Sequence, residues 1–375
     1  MRRVIIRSIA LTLAVKALAV GAFLAFWRLF PINFTFTPYA WPSLFGASLK
    51  LPHWITLWAN FDGSNYLSIA ISGTSRSQVA FFPLYPWLIR HTRILEIPHI
   101  IHAQGISLLA FAAGLTVLFL LLKKDALSRL TTLVSISILL FPTSYSYTAV
   151  YNDSVFFFFA TLTLWLVRSR LWFFASVTGA LATLTRLNGL ALFPYLLVEY
   201  ARLPDSKKNL RSLLSTLLIP GALLGYLGFL HTTYGSWYVL FESMRLWGQH
   251  RLIIPLQTIY RYAKIFYSVS PSHTSYWVAV FEIAMWSVYL YFIWWSFRKI
   301  RLSYWVFFLV SIAIPSLTGT FQGMPRYALH LYPFFLSLAL WLDAHPKLIR
   351  LAVFVVLFIL YLISVTLFTH GIFIA

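Results

Sequence analysis

Apolar runs follow one another along the whole chain with short polar breaks between them, many of them long enough to cross the ~30 Å hydrocarbon layer of a bilayer. Inside a bilayer every backbone polar group must be satisfied internally, so runs of this kind predict helices and leave no stretch for a large soluble domain. The pattern predicts an all-α polytopic bundle forming one unit, residues 1–375. Eleven helices are expected, over 4–27, 100–122, 130–148, 154–168, 171–185, 189–201, 211–231, 275–297, 302–320, 327–343 and 350–370.

Composition agrees. Hydrophobic residues make up 60% of the chain and charged ones 10%, and the mean hydropathy is +0.79, far above that of soluble domains. The net charge of +20, from 29 Lys and Arg against 9 Asp and Glu, would suit nucleic acid only on the face of a soluble fold. Here the cations sit between apolar runs in six clusters: Arg2, Arg3 and Arg7; Lys123, Lys124 and Arg129; Arg168 and Arg170; Arg202, Lys207, Lys208 and Arg211; Arg298, Lys299 and Arg301; Lys347 and Arg350. They are spaced as cytoplasmic anchors, which makes membrane lipid the partner and gives no reason to expect nucleic acid. With all six inside, the spans must alternate, and the alternation closes with eleven helices, the N-terminus inside and the C-terminus outside. The first run is too long for the core of a signal peptide, so it is expected to be retained as a helix. Cysteine is absent, which rules out disulfides and thiolate metal sites.

Several spans around "YND" (151–153) and "TRLNG" (185–189) fall short of the ~20 residues of a full crossing, so these helices are expected to break inside a cavity and recess a site. Two long outside segments follow from the topology, 31–98 and 232–273. The first contains "DGSNYLSIA" and "FFPLYPWLIR", each predicted to form a short helix along the membrane surface.

Under this topology Asp125, Glu199, Asp205 and Asp343 fall on the cytoplasmic side, and Asp62, Glu96, Asp153, Glu242 and Glu282 fall at or toward the outside. Asp62 opens the first surface helix and reads either as its N-cap or as a general base. Asp153, in the turn "YNDS", reads either as a turn or cap residue or as a second acid that orients an acceptor or tunes Asp62. Glu282, inside a span, must be paired or face a polar cavity. Arg186, Arg326, Arg245, His250 and Arg251 lie where topology alone does not call for positive charge and suit a phosphate, with headgroup binding as the alternative. Aromatics near Asp62, including Phe61 and Tyr66, can stack on a sugar face. "NFT" (33–35) and "NDS" (152–154) read as glycosylation sequons.

No metal-ligand spacing of histidines, glycine-rich phosphate loop, Ser-His-Asp ordering or DxD pair is present, which argues against a soluble nucleotide donor. Asp62 and Asp153 offer oxygen ligands that a divalent cation would accept, but two carboxylates so far apart in sequence are weak grounds. No metal and no other cofactor is expected.

Five stretches in order, "FDGSNYLSIA", "FFPLYPWLIR", "SYSYTAVYNDSVFFFFATL", "ALATLTRLNGLALFP" and "MPRYALHLYPFFLSLAL", resemble motifs of the PIG-V-like mannosyltransferases, members of the GT-C class of polytopic glycosyltransferases. The resemblance implies a GT-C type bundle that moves a sugar from a polyprenyl-phosphate carrier to a lipid, glycan or protein acceptor on the extracytoplasmic face, with inversion. It implies Asp62 as general base. Joined to the chemistry above, it makes Arg326, Arg186, His250 and Arg251 candidates for the carrier phosphate, Asp153 the second acid, and Tyr66, Phe61 and Tyr327 substrate contacts. Phe61 stands where the family has tryptophan, Asn60 where a basic residue is common, and Asp153 where the family has glutamate, so mannose and the eukaryotic anchor-lipid pathway do not follow. The competing readings are a transporter or flippase of a polyprenyl-linked lipid, which would show repeated halves and a midplane site, and a scaffold in which Asp62 only caps a helix. The absence of long lumenal insertions points to a prokaryotic plasma membrane rather than the endoplasmic reticulum.

Overall fold

The computed structural model describes residues 1–29, 31–45, 50–93, 96–249 and 252–374. Its regular elements are helical, and no strand occurs among the described residues. Five helices there are long and apolar enough to cross a membrane: Arg2–Phe26, His99–Lys124, Leu210–Tyr234, Thr274–Ser296 and Lys347–Thr369. Shorter apolar helices run over Thr131–Leu140, Asp153–Arg168, Trp172–Thr185, Leu192–Ala201, Leu302–Ser316 and Tyr332–Asp343.

The basic clusters, far apart in sequence, meet at one pole. Arg7 reaches Thr132 at 3.3 Å, Lys124 reaches Ser169 at 3.0 Å, and Arg168 pairs with Asp125 at 2.8 Å. Arg301 pairs with Glu199, and Arg129 with Asp343. Arg350 donates to the Asp343 carbonyl at 2.8 Å. The chain leaves this basic pole and returns to it five times, then leaves again in Lys347–Thr369. Asp125, Glu199 and Asp343 are neutralised there. Each of these three carboxylates meets a cation of one of the clusters.

The short helices stop before the far pole. Ten to sixteen residues extend only about 15–24 Å, against about 39 Å for His99–Lys124. The expected span 130–148 ends at Leu140, because Phe141 precedes Pro142 and is extended (φ −62, ψ 135). Residues 144–148 instead form a buried 3₁₀ turn. The expected span 327–343 begins only at Tyr332, after the four-residue helix Met324–Tyr327, whose preceding Gly323 has φ 77, and a 3₁₀ turn at Ala328–His330. The expected span 189–201 opens with a 3₁₀ turn at Leu187–Ala191. There a Cβ on Gly189 would stand 2.3 Å from the Thr183 nitrogen, so only glycine allows the chain to fold back so closely. These three irregular stretches collect above the short helices and form a recess.

Both outer segments cover that recess. Asp62–Ser72 is helical, but it does not lie exposed along a surface: Gly63 through Ala70 are buried. Its small residues allow close packing, and Tyr66 meets the rings of Phe81 and Tyr85 edge-on at 5.3 and 5.2 Å. Leu84–His91 is helical too, with Tyr85 and Ile89 inward and Trp87 exposed. From the second segment, Val239–Leu246 is clipped to the first. Ser243 and Trp247 donate to the Ser77 carbonyl at 2.7 and 2.9 Å, and Arg76 pairs with Glu242 at 2.9 Å.

Candidate functional site

Asp62 is the first residue of its helix, yet its carboxylate is not used as a cap. Phe61 holds the N-cap position, and no side-chain cap bond forms. The Asp62 carboxylate instead accepts from the Arg326 guanidinium at 2.7 Å, across 264 residues. Phe61 has φ 55 and ψ −115, a conformation costly for a residue with a Cβ. Its N–H donates to the Phe36 carbonyl at 2.8 Å, and its ring packs against Phe36, Phe368 and Phe373, which together hold the strained turn. The 3₁₀ turn at Leu57–Ala59 that leads into it is docked as well: the Val150 N–H donates to the Trp58 carbonyl at 2.9 Å, and the Tyr151 hydroxyl to the Asn60 carbonyl at 3.0 Å.

Arg326 sits on Met324–Tyr327, and hydrogen bonds from three other parts of the chain brace that short helix and its approach. The Tyr289 hydroxyl donates to the Met324 carbonyl at 3.0 Å and accepts from the Ala328 N–H at 3.2 Å. Thr143 donates to the Pro325 carbonyl at 2.9 Å. Glu282 accepts from the Tyr262 hydroxyl at 2.5 Å, and that hydroxyl accepts from the Phe321 N–H. Glu282 is therefore paired and supports the loop that carries Arg326 without lining the cleft. Arg326 lies over the Tyr151 ring at 4.8 Å. Burial opposes its charge, but Asp153 and Asp62 outweigh that and hold its pKa well above the ordinary value, so it stays cationic.

Asp153 opens the Asp153–Arg168 helix, where the cap position belongs to Asn152 and is likewise unbonded. One carboxylate oxygen accepts from Arg186 at 2.7 Å and from His330 Nε2 at 2.6 Å. The other faces Arg326 Nε at 3.6 Å. A carboxylate oxygen so near requires the proton on Nε2, so the 3.1 Å approach of Arg186 to the same nitrogen is not a second hydrogen bond. Asn152 is buried and donates to the Thr185 carbonyl at 2.8 Å, which closes the "NDS" sequon. The cap and turn readings of the two acids thus give way to ion pairs that no local pattern encodes.

These groups form one wall of a cleft of about 690 Å³. Asp62, Phe61, Tyr66, Arg186, Arg326 and Tyr327 line it, with Met244, Trp247 and Gln249 from the second outer segment. Exposure grades along the wall: the Asp62 side chain is 22% accessible, Arg186 15%, Arg326 9% and Asp153 0%. Asp153 does not line the cleft, so it cannot orient an acceptor directly, and its reach is through the arginines. Tyr66 has no hydrogen-bond partner for its hydroxyl among the described residues, and burial first, then the Asp62 charge, pushes its phenol well above the usual value. It is a neutral donor facing the cleft. Arg186 lies over the Tyr327 ring at 5.1 Å.

Arg245 is exposed and does not line the cleft. His250 and Arg251 lie outside the described residues. His330 and Tyr151 belong to the site but were not singled out from the sequence. His330 stands in "MPRYALHLYP", one polar ring in an apolar run, which in a membrane chain is itself a signal. Arg326 occupies the space between Asp62 and Asp153, where a shared divalent cation would have to sit.

No protein-family model matches the chain, and no match is found among curated proteins.

Proposed function

We propose that this chain is an integral membrane glycosyltransferase of GT-C type, with the basic pole cytoplasmic, eleven helices embedded in the bilayer and the cleft on the extracytoplasmic face. It moves a sugar from a polyprenyl-phosphate carrier to a lipid, glycan or protein acceptor, with inversion. One observation carries the reading: five stretches distant in sequence each bring a residue to a single recessed cleft. They supply Asp62, Phe81, Asn152 with Asp153 behind it, Arg186 and Arg326.

The chemistry of carrier release asks for those groups. A carboxylate exposed to the cleft takes the proton of the attacking hydroxyl, a contribution of about 10²–10⁴ in rate. Guanidinium groups stabilise the charge that develops on the departing phosphate. Asp62 fills the first role, and Arg326 and Arg186 the second. Tyr66, Phe61 and Tyr327 are placed to contact sugar or acceptor. Asp153 and His330 touch neither and hold the two arginines. Because the cleft sits above short helices, its floor lies below the level of the long helix ends, where a lipid-borne sugar phosphate can be presented from the bilayer. A transporter is expected to show repeated halves around a midplane site, and the sequence carries no internal repeat.

The test is incubation of purified full-length protein with polyprenyl-phosphate-linked mannose, glucose, galactose or arabinose and mixed acceptors, following free carrier phosphate. Release from one donor, lost in a folded Asp62→Asn variant, is the expected result. If the folded wild type releases carrier from none of them but moves labelled carrier lipid across vesicle membranes, the transporter reading replaces this one.

A further inference from the structure

Within the cleft wall the charges cancel. Two guanidiniums, Arg186 and Arg326, face two carboxylates, Asp62 and Asp153, while His330 gives its Nε2 proton to Asp153. Among the described residues a wall of this kind has no spare cation for an anionic ligand. The two acids are held differently. Asp153 is sealed at 0% exposure and shared by Arg186, His330 and Arg326. Asp62 opens onto the cleft, and among the described residues its side chain has one polar partner, Arg326, at 2.7 Å. The guanidinium it holds also faces the buried Asp153 carboxylate at 3.6 Å, a charge contact without a hydrogen bond, and lies over the Tyr151 ring. Of the ionic contacts in the wall, Asp62–Arg326 is therefore the one a ligand can break while the rest of the wall stands.

We propose that Asp62–Arg326 is the latched resting state of the site: a phosphate ester entering the cleft displaces the Asp62 carboxylate from Arg326 and thereby frees it to act as base. Arg326 exchanges one oxyanion for another, and the displaced Asp62 carboxylate, 22% accessible, is left unpaired toward the cleft, where it can take the proton of the attacking hydroxyl. The base becomes free only while an anionic donor occupies the guanidinium, which couples proton removal to donor binding. This inference rests on the proposed transferase reading and adds an order of events to it.

The experiment is calorimetric binding of farnesyl phosphate to the full chain in nanodiscs, with farnesol as the uncharged control. If the latch exists, binding must break an ion pair in the wild type but not in Asp62→Asn. The variant is then expected to bind farnesyl phosphate about fivefold more tightly, the scale of a partly exposed pair, with farnesol unaffected and Arg326→Gln binding more weakly than wild type. Asp62→Ser serves as a second variant should the asparagine form not fold. Equal or weaker affinity in both Asp62 variants, with clear binding by wild type, overturns the latch and leaves the phosphate site intact. Absence of binding by folded wild type overturns the latch and the carrier-phosphate reading together.

Discussion

Asp62 and Asp153 each pair with Arg326, yet the same Asp→Asn change at the two positions should have opposite consequences. At Asp153 the lost charge is fully buried and neutralises Arg186 at 2.7 Å and Arg326 at 3.6 Å while accepting from His330 at 2.6 Å. Removing it leaves two nearly buried guanidiniums to share one remaining carboxylate, and an amide NH₂ can face a donor where an oxygen stood. Breaking a buried pair of this kind costs about 3–5 kcal/mol. At Asp62 the carboxylate is 22% exposed and has a single pairing, so its loss costs about 1 kcal/mol. Asp153→Asn is therefore expected to unfold at markedly lower temperature or denaturant concentration than wild type, and Asp62→Asn to unfold close to it. Turnover should show the complementary pattern: abolished in folded Asp62→Asn, and in Asp153→Asn reduced with a raised KM for donor, since the arginines lose their anchor. Unfolding followed by intrinsic tryptophan fluorescence, alongside carrier release, reads both. Equal stability of the two variants would refute the assignment of Asp153 as the buried keystone and Asp62 as the accessible acid.

Gly189→Ala is expected to be destabilising by about 1–3 kcal/mol and to depress turnover, because the new Cβ meets the Thr183 backbone at 2.3 Å and must displace the turn that follows Arg186. Gly21→Ala, with nothing within 4 Å, is the control expected to leave thermal stability unchanged or slightly raised. Tyr66→Phe should lower kcat/KM by about 3–10-fold through one lost hydrogen bond, without altering the pH profile between pH 6 and 9, since burial keeps the phenol protonated there. An alkaline limb that disappears in the variant would show that Tyr66 titrates after all. Chelation with EDTA should leave turnover intact, because the Arg326 guanidinium fills the space between the two acids; loss restored by added magnesium or manganese would reverse this.

Local pattern determined a good deal about this chain. Apolar runs dictate helices, because an unpaired backbone group in hydrocarbon is too costly, and the observed helices Arg2–Phe26, His99–Lys124 and Lys347–Thr369 follow the predicted spans within a few residues. The spacing of basic clusters foretold that Arg129, Arg168 and Arg301 belong together, and a scarcity of acids made Asp62 and Asp153 conspicuous. Helix ends were less legible. The break at Phe141 was foreseeable from Pro142, but the delayed start at Tyr332 depends on Tyr289 and Thr143 capturing the backbone of Met324–Ala328 from distant parts of the chain.

What tertiary structure alone decided is who answers whom. Asp62 read locally as either a cap or a general base, and only a fold that carries Arg326 across 264 residues makes it an ion-paired acid on a cleft. Asp153 and Asp62 look alike in sequence, and their difference in burial comes from His330 and Arg186 closing over one and not the other. Helix formation is governed by a residue's near neighbours, which the sequence lists in order. The electrostatics of a buried charge are governed by whatever group lies within a few ångströms, and the chain order does not say which group that is.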